Sequence, residues 1–272
     1  MSPTTPAFPS RLPNVGTTIF TVMSALATQH KAVNLGQGFP DFDCDPKLVD
    51  GVTTAMQQGR NQYPPMPGVP ALRQAIAAKI EAVYARQYSA DTEITITAGA
   101  TQAILTAILC CVGPGDEVIV LEPCYDSYVP NIELTGATVV RVPLTPGTFR
   151  PDFDKIGAAL SPKTRAIIIN SPNNPSGTVW SPEDMRRLDE LLAATRVLVI
   201  SDEVYEHMVY APLRHESVAR YPGLAARSFI VSSFGKTYHV TGWKVGYVAA
   251  PAALTAEFRK VHQFNVFTVN TP

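Results

Sequence analysis

Charge is scarce in this chain. Asp, Glu, Lys and Arg make up 17% of the 272 residues, and 22 basic against 23 acidic side chains leave a net charge of -1. No basic tail or stripe is present to meet phosphates, so nucleic-acid binding is not expected. Cysteine is rare too. The four, Cys44, Cys110, Cys111 and Cys124, form no CxxC pair, and Cys110 and Cys111 are neighbours in an apolar run. A disulfide framework is therefore not expected, and the reading is of reduced thiols in a cytoplasmic protein. The five histidines are scattered without HExxH or a Cys/His cluster, so no metal centre is expected. Long apolar runs are missing: the longest, at residues 103–112, has about half of the ~20 residues a membrane-spanning helix needs. Residues 1–15 are proline-rich with no apolar segment and do not read as a signal peptide. Repeats and low-complexity stretches are not visible either.

What is present is ordinary globular material, 46% hydrophobic and long enough for about two domains with a sizeable core. Residues 1–45 are rich in Pro and Gly, with one helical patch at 21–30. From residue 46 helices and strands alternate. Apolar runs at 93–98, 117–121, 138–142, 165–170, 197–201, 228–232 and 245–250 read as strands. Several are uninterrupted rather than alternating, which fits strands buried on both faces in a helix-covered, mostly parallel sheet. Helical spacing marks residues 46–60, 72–84, 101–112, 127–134, 152–160, 181–194 and 252–262. Ser181, Pro182 and Asp184 carry the signature of a capped helix start. The expected fold is α/β, with a seven-stranded, mostly parallel sheet over residues 46–272 and helices on both faces.

In such sheets ligands bind beyond the carboxyl ends of the strands. The polar residues following five of the strands supply parts for an anionic, aromatic, aldehyde-bearing cofactor. The backbone N–H groups of Ala100 and Thr101, at a helix start, suit a phosphate. Ser233 can add a hydroxyl and Lys244 a positive charge. Tyr125 can stack on a ring, Asp202 can pair with a ring nitrogen, and Lys236 can form a Schiff base. Each alone is commonplace: Gly99-Ala100-Thr101 is an ordinary turn into a helix, Asn173-Asn174-Pro175-Ser176-Gly177 an ordinary loop, and a single lysine ordinary surface. Their succession, each after a strand, carries the reading.

The stretches NLGQGFPDFD (34–43), NQY (61–63), TAGAT ending at Thr101, GDEVIVLEPCYDSY ending at Tyr128, NSPNNPSG ending at Gly177, ISDEVYEHMVY ending at Tyr210 and SSFGKTYHVTGWKVGY ending at Tyr247 resemble fold-type I pyridoxal-phosphate enzymes. Within these, the chain resembles class I aminotransferases of the kynurenine/glutamine and methionine branch. The resemblance runs from about Gly16 to the end, and its last stretch is the most specific. It implies pyridoxal 5'-phosphate as cofactor, Lys236 as its anchoring lysine, Asp202 as partner of the pyridine nitrogen, and Tyr205 and Asn174 as donors to the phenolic oxygen. It also implies Ala100, Thr101, Ser233 and Lys244 as the phosphate cup and Tyr125 as the stacking ring. Tyr63 resembles a tyrosine that reaches the phosphate of a neighbouring subunit, which implies a homodimer. Gly38 and Asn174 resemble contacts to the substrate carboxylate, and Phe20 a residue of the side-chain pocket. Lys244 stands where many relatives carry arginine, a point charge in place of a fork.

The implied activity moves an amino group from an L-amino acid of methionine, glutamine or aromatic type to a 2-oxo acid, with ping-pong kinetics. On the same pattern residues 1–45 are an N-terminal arm and part of a small domain, and residues 46–272 are the large cofactor domain. The chain stops at Asn270-Thr271-Pro272, so the C-terminal part of the small domain, with its carboxylate-gripping arginine, is expected to be absent. Two alternatives keep the cofactor: a β-lyase acting on cysteine conjugates, and an inactive cofactor-binding fragment. A dinucleotide-binding dehydrogenase has only Gly36-Gln37-Gly38-Phe39-Pro40-Asp41 to support it, with no third glycine and no framing strand and helix.

Overall fold

The computed structural model of the protein describes residues 8–36, 38 and 42–272. The chain divides into two compact units, Met1–Asp43 and Cys44–Pro272. In the first, helix α1 (Ile19–His30) starts at Thr18, whose hydroxyl accepts the Thr21 N–H at 3.3 Å. It ends at Lys31 in the left-handed conformation. Asn34 then closes a turn, donating to Ser24 Oγ and accepting the Gly36 N–H, both at 3.0 Å. Of the glycine-containing stretch read above, Gln37, Phe39, Pro40 and Asp41 lie outside the described residues.

The second unit opens with α2 (Pro46–Gln57) and α3 (Pro70–Tyr84), each with proline in its first turn, where the missing N–H costs no hydrogen bond. Then follow β1 (Ile94–Thr97), α4 (Gly99–Cys111), β2 (Glu117–Glu122), α5 (Tyr128–Leu134), β3 (Thr138–Pro143), α6 (Phe153–Ala159) and β4 (Thr164–Asn170). The chain continues through α7 (Pro182–Leu192), β5 (Leu198–Asp202), the short α8 (Pro222–Ala225), β6 (Ser228–Ser233), the one-turn α9 (Phe234–Thr237), β7 (Gly246–Ala249) and α10 (Ala252–Asn265). Helix α7 begins with the expected capping box: Ser181 Oγ accepts the Asp184 N–H at 3.2 Å, and Asp184 Oδ2 accepts the Ser181 N–H at 2.7 Å.

The seven strands form one sheet in the order β1-β7-β6-β5-β4-β2-β3. All pairings are parallel except those of β7, which runs against both β1 and β6. The uninterrupted apolar runs follow from burial on both faces. Along β2, Ile119 and Leu121 join one core while Val118 and Val120 join the other. Along β4, Ile167 and Ile169 pack with the first core and Ala166 and Ile168 with the second. Residues of α3, α6 and α7 (Ile76, Ile156, Leu188) cover the first face, and residues of α4, α5 and α10 (Ile104, Ile132, Phe258) cover the second. Among the described residues no helix is long and apolar enough to cross a membrane.

The order creates a switch point. From β2 the chain moves outward to β3 and returns to the other side of β2 as β4. The carboxyl ends of β2, β4, β5 and β6 therefore form one rim, where open α/β sheets bind ligands.

Candidate active site

Register assembles the rim. Asn170 ends β4 directly beside Asp202 at the end of β5, and Ser233 at the end of β6 pairs with Gly246 of β7, which also pairs with Thr97 of β1. Close approach at this edge depends on two glycines. A Cβ on Gly246 would lie 2.7 Å from the Ser232 carbonyl oxygen and 3.2 Å from the Ala100 nitrogen. Gly99 adopts φ +78° and its added Cβ would meet Lys244 Nζ at 3.3 Å. The start of α4 is thus packed against β7 and against the Lys244 ammonium. Its first turn has no side-chain cap, which leaves the N–H groups of Ala100 and Thr101 free to receive an anion. Ser233 begins α9, accepting the Gly235 N–H at 3.2 Å, and one turn later that helix presents Lys236.

Asp202 is buried, and its carboxylate is held from two sides. Tyr128 donates its hydroxyl to Oδ2 at 2.6 Å, and the Val204 N–H reaches Oδ1 at 3.3 Å. Burial pushes the Asp202 carboxyl up to about 6, even though the bonds from Tyr128 and Val204 and the charge of Lys236 pull it down. Lys236 shifts the opposite way. Burial lowers the pKa of its amine, the neighbouring Lys244 charge lowers it further, and Asp202 partly compensates. Lys236 Nζ lies 5.7 Å from the centre of the Tyr205 ring. The Tyr205 hydroxyl has the Asn174 side chain as a hydrogen-bond partner, and burial raises its pKa. Asn174 is positioned through its backbone, whose N–H donates to Asn170 Oδ1 at 2.6 Å. Asn170 in turn donates its amide to the Asp202 carbonyl at 2.9 Å. The Tyr125 ring meets Tyr128 edge-on at 5.7 Å. A groove of about 390 Å³ opens beside Asn174 and Tyr205, with Met208 and Leu213 among its apolar lining.

The rim thus gathers Ala100, Thr101, Tyr125, Asn174, Asp202, Tyr205, Ser233, Lys236 and Lys244. Tyr63 is 81% exposed, and its ring meets Phe267 edge-on at 5.3 Å rather than a member of this set. Phe20, half-buried in α1, and Gly38, exposed, belong to the Met1–Asp43 unit. Two residues without a sequence-derived role take part. Tyr128 is buried and spends its hydroxyl on Asp202, and Asn170 couples the ends of β4 and β5. A signal for Tyr128 was available, since a buried tyrosine needs a partner for its hydroxyl, but which partner is a long-range fact. Among the described residues no group of three or more His, Cys, Asp or Glu is placed to hold a metal.

The coupling between the two lysines is measurable. Replacing Lys244 with Gln removes the neighbouring positive charge, so the Lys236 amine should hold its proton to higher pH. The pH midpoint for reductive methylation of Lys236 by formaldehyde and borohydride, read by peptide mass spectrometry, is expected to move upward in Lys244→Gln. An unchanged or lower midpoint would contradict the arrangement.

A family profile described as aminotransferase class I and II matches residues 30–272. The chain is 54% identical to methionine aminotransferase of Escherichia coli (strain K12) over 263 residues, covering 97% of this chain and 68% of that protein. It is 45% identical to a probable N-succinyldiaminopimelate aminotransferase of Mycobacterium tuberculosis, covering 97% of this chain and 67% of the relative. Against kynurenine–oxoglutarate transaminase 3 of Rattus norvegicus the identity is 36%, over 96% of this chain and 60% of the relative. The solved structure of an Escherichia coli protein identified with a methionine aminotransferase function superposes with a TM-score of 0.94 at 53% identity, over 98% of this chain and 70% of that one. Aspartate aminotransferase from Thermus thermophilus with maleate gives 0.89 at 29% identity, over 98% and 70%.

Proposed function

The chain belongs to the aminotransferases of class I and II, and from that membership we propose that its rim carries pyridoxal 5'-phosphate and moves an amino group from a methionine-type L-amino acid to a 2-oxo acid. The observation that carries the reading is one pair of groups at the rim, buried Asp202 and half-buried Lys236. Asp202 is a carboxylate that burial holds above its ordinary pKa even with Lys236 nearby, and Lys236 is an amine that partial burial and the Lys244 charge hold below its own. The pair suits a cofactor with a basic ring nitrogen and an aldehyde. The remaining residues fit the same group. The first turn of α4, Ser233 and Lys244 offer donors and charge to a phosphate, Tyr125 offers a ring face, and Tyr205 and Asn174 offer polar hydrogens to a phenolic oxygen.

When bound, pyridoxal phosphate supplies an aldehyde for the substrate amine and a ring that accepts electrons as the substrate Cα–H bond breaks. The chain supplies the rest. Lys236, neutral at lower pH than an ordinary lysine, takes the proton from the substrate Cα and returns it on the other side of the transfer. Asp202, ionised above about pH 6, would hold a proton on the ring nitrogen. Tyr205 and Asn174 fix the phenolic oxygen, and the Asn174 amide also reaches the substrate carboxylate. Exposed Tyr63 is free to serve a second copy of the chain, as in a homodimer.

The donor class rests on the relative named for methionine at 54% identity across 97% of this chain. The test is the visible absorbance of the cofactor-loaded protein before and after methionine. A band that bleaches with methionine and recovers with a 2-oxo acid, with the keto acid of methionine found by mass spectrometry, is expected. A β-lyase would instead release ammonia without an acceptor, and absence of any band would remove the cofactor assignment.

A further inference from the structure

Three carboxylates stand within five residues at the end of β5: Asp202, Glu203 and Glu206. The reaction described above uses the first. Glu203 is buried and satisfied within its own stretch of chain, accepting from Ser201 Oγ at 2.8 Å, His215 Nε2 at 2.9 Å and the Val218 N–H at 3.1 Å. Glu206 is different, because its partners come from far along the chain. Its side chain is 3% exposed. Oε2 accepts from Lys79 Nζ and the Tyr84 hydroxyl, both on α3. Oε1 accepts from Ser232 Oγ of β6 at 2.7 Å and from the Tyr247 hydroxyl of β7 at 3.3 Å. Lys79 closes the ring by donating to the Tyr247 oxygen at 3.2 Å. Burial raises the Glu206 pKa, but Lys79 and the hydroxyl donors more than offset it, so the net shift is downward and the carboxylate is an anion.

The positions of these partners connect the network to the chemistry. Glu206 follows Tyr205 in sequence. Ser232 precedes Ser233, which starts the turn bearing Lys236, and it pairs in register with Tyr247. Two segments that must hold Tyr205 and Lys236 5.7 Å apart are therefore tied to one carboxylate. A buried anion with four donors has a single arrangement, because any displacement strands a charge.

We propose that Glu206 is a positioning residue for the transfer reaction: through Ser232, Tyr247 and α3 it fixes Tyr205 relative to Lys236. The inference rests on the proposed function above. It predicts that Glu206 acts through Tyr205, which a double-mutant cycle detects. The variants are Glu206→Gln, Tyr205→Phe and the two together, each loaded with pyridoxal phosphate. Two quantities are read per bound cofactor: kcat with methionine, and the pH midpoint of the visible band. Glu206→Gln is expected to lower kcat about tenfold with KM for the donor changed by less than about twofold, since Tyr205 serves the reacting group rather than donor recognition. Its pH midpoint is expected to move in the same direction as that of Tyr205→Phe. In the double variant the Glu206 increment should largely disappear.

A merely structural role gives another pattern: Glu206→Gln melts earlier, yet each loaded molecule keeps the wild-type kcat and midpoint. That result, or increments that add in full, overturns the proposal. If Glu206→Gln does not fold, Ser232→Ala removes a single donor, leaves the Lys79 pair in place, and must produce the same two changes in smaller size. No change in loaded Ser232→Ala would overturn the proposal as well. If the unsubstituted protein shows no visible band with pyridoxal phosphate, the proposed function fails, and it does so in a sample that carries no substitution at Glu206.

Discussion

Lys236→Ala is expected to remove turnover and leave the fold intact. A positioned general base is typically worth ~10²–10⁴ in rate, and Lys236 is proposed to be both that base and the covalent anchor, so the loss should reach at least the upper end of that range. The fold has little to lose. Lys236 sits on a one-turn helix, its amine is partly desolvated beside another cation, and its removal relieves repulsion with Lys244. The cofactor-free variant should therefore melt within a few degrees of the parent. Three measurements on one sample decide it: thermal melting, visible absorbance with pyridoxal phosphate, and keto-acid formation from methionine. Normal melting, a lost or displaced band and no product are expected. Product at more than a few per cent of the parent rate per bound cofactor would remove Lys236 from its role.

Where the sequence was legible, the reason is local. The apolar runs of β2, β4 and β5 could be read as strands because both faces of the sheet are covered, so alternation gives way to continuous Val and Ile. The α7 boundary was legible because Ser181 and Asp184 cap a helix through bonds three residues long. A mostly parallel sheet was legible from the same uninterrupted runs, but the strand order and the reversal of β7 were not. That β7 opposes its neighbours follows from the short connection between Ser233 and Gly246, which holds only one-turn elements and no full crossover helix. Most of the candidate rim residues could be named because they follow strand ends, but their couplings could not be read. Tyr128 meets Asp202 across 74 positions and Lys79 meets Glu206 across 127, and no periodicity records such pairs. Tyr63 illustrates the converse: its motif could be read, yet among the described residues its ring meets Phe267.

Replacing Asp202 with Asn is expected to remove most activity while making the cofactor-free protein more stable at neutral pH. In the folded chain burial holds the Asp202 carboxyl at about 6, against an ordinary 3.8. The folded state therefore binds this proton more tightly than the unfolded state. Stability falls as pH rises from about 4 through 6, and above that the whole cost is present. The gap between 3.8 and about 6 corresponds to about 3 kcal/mol. Asn carries no charge, so the cost vanishes. Part of the gain is lost, because Tyr128 and the Val204 N–H both need an acceptor and the amide offers only one oxygen, at about 1 kcal/mol for the orphaned donor. Urea unfolding should show Asp202→Asn more stable by about 1–2 kcal/mol at pH 7 and less stable than the parent at pH 4. Activity should fall by about 10²–10³, since a carboxylate beside a ring cation contributes roughly 3–4 kcal/mol at an effective dielectric near 20. A variant that is destabilised equally at both pH values would refute the buried-charge argument, and one with full activity would refute the ring-nitrogen role. The opposed signs are the physical mark of a functional group: Asp202 is retained at a stability cost that only its partner in the loaded enzyme can offset.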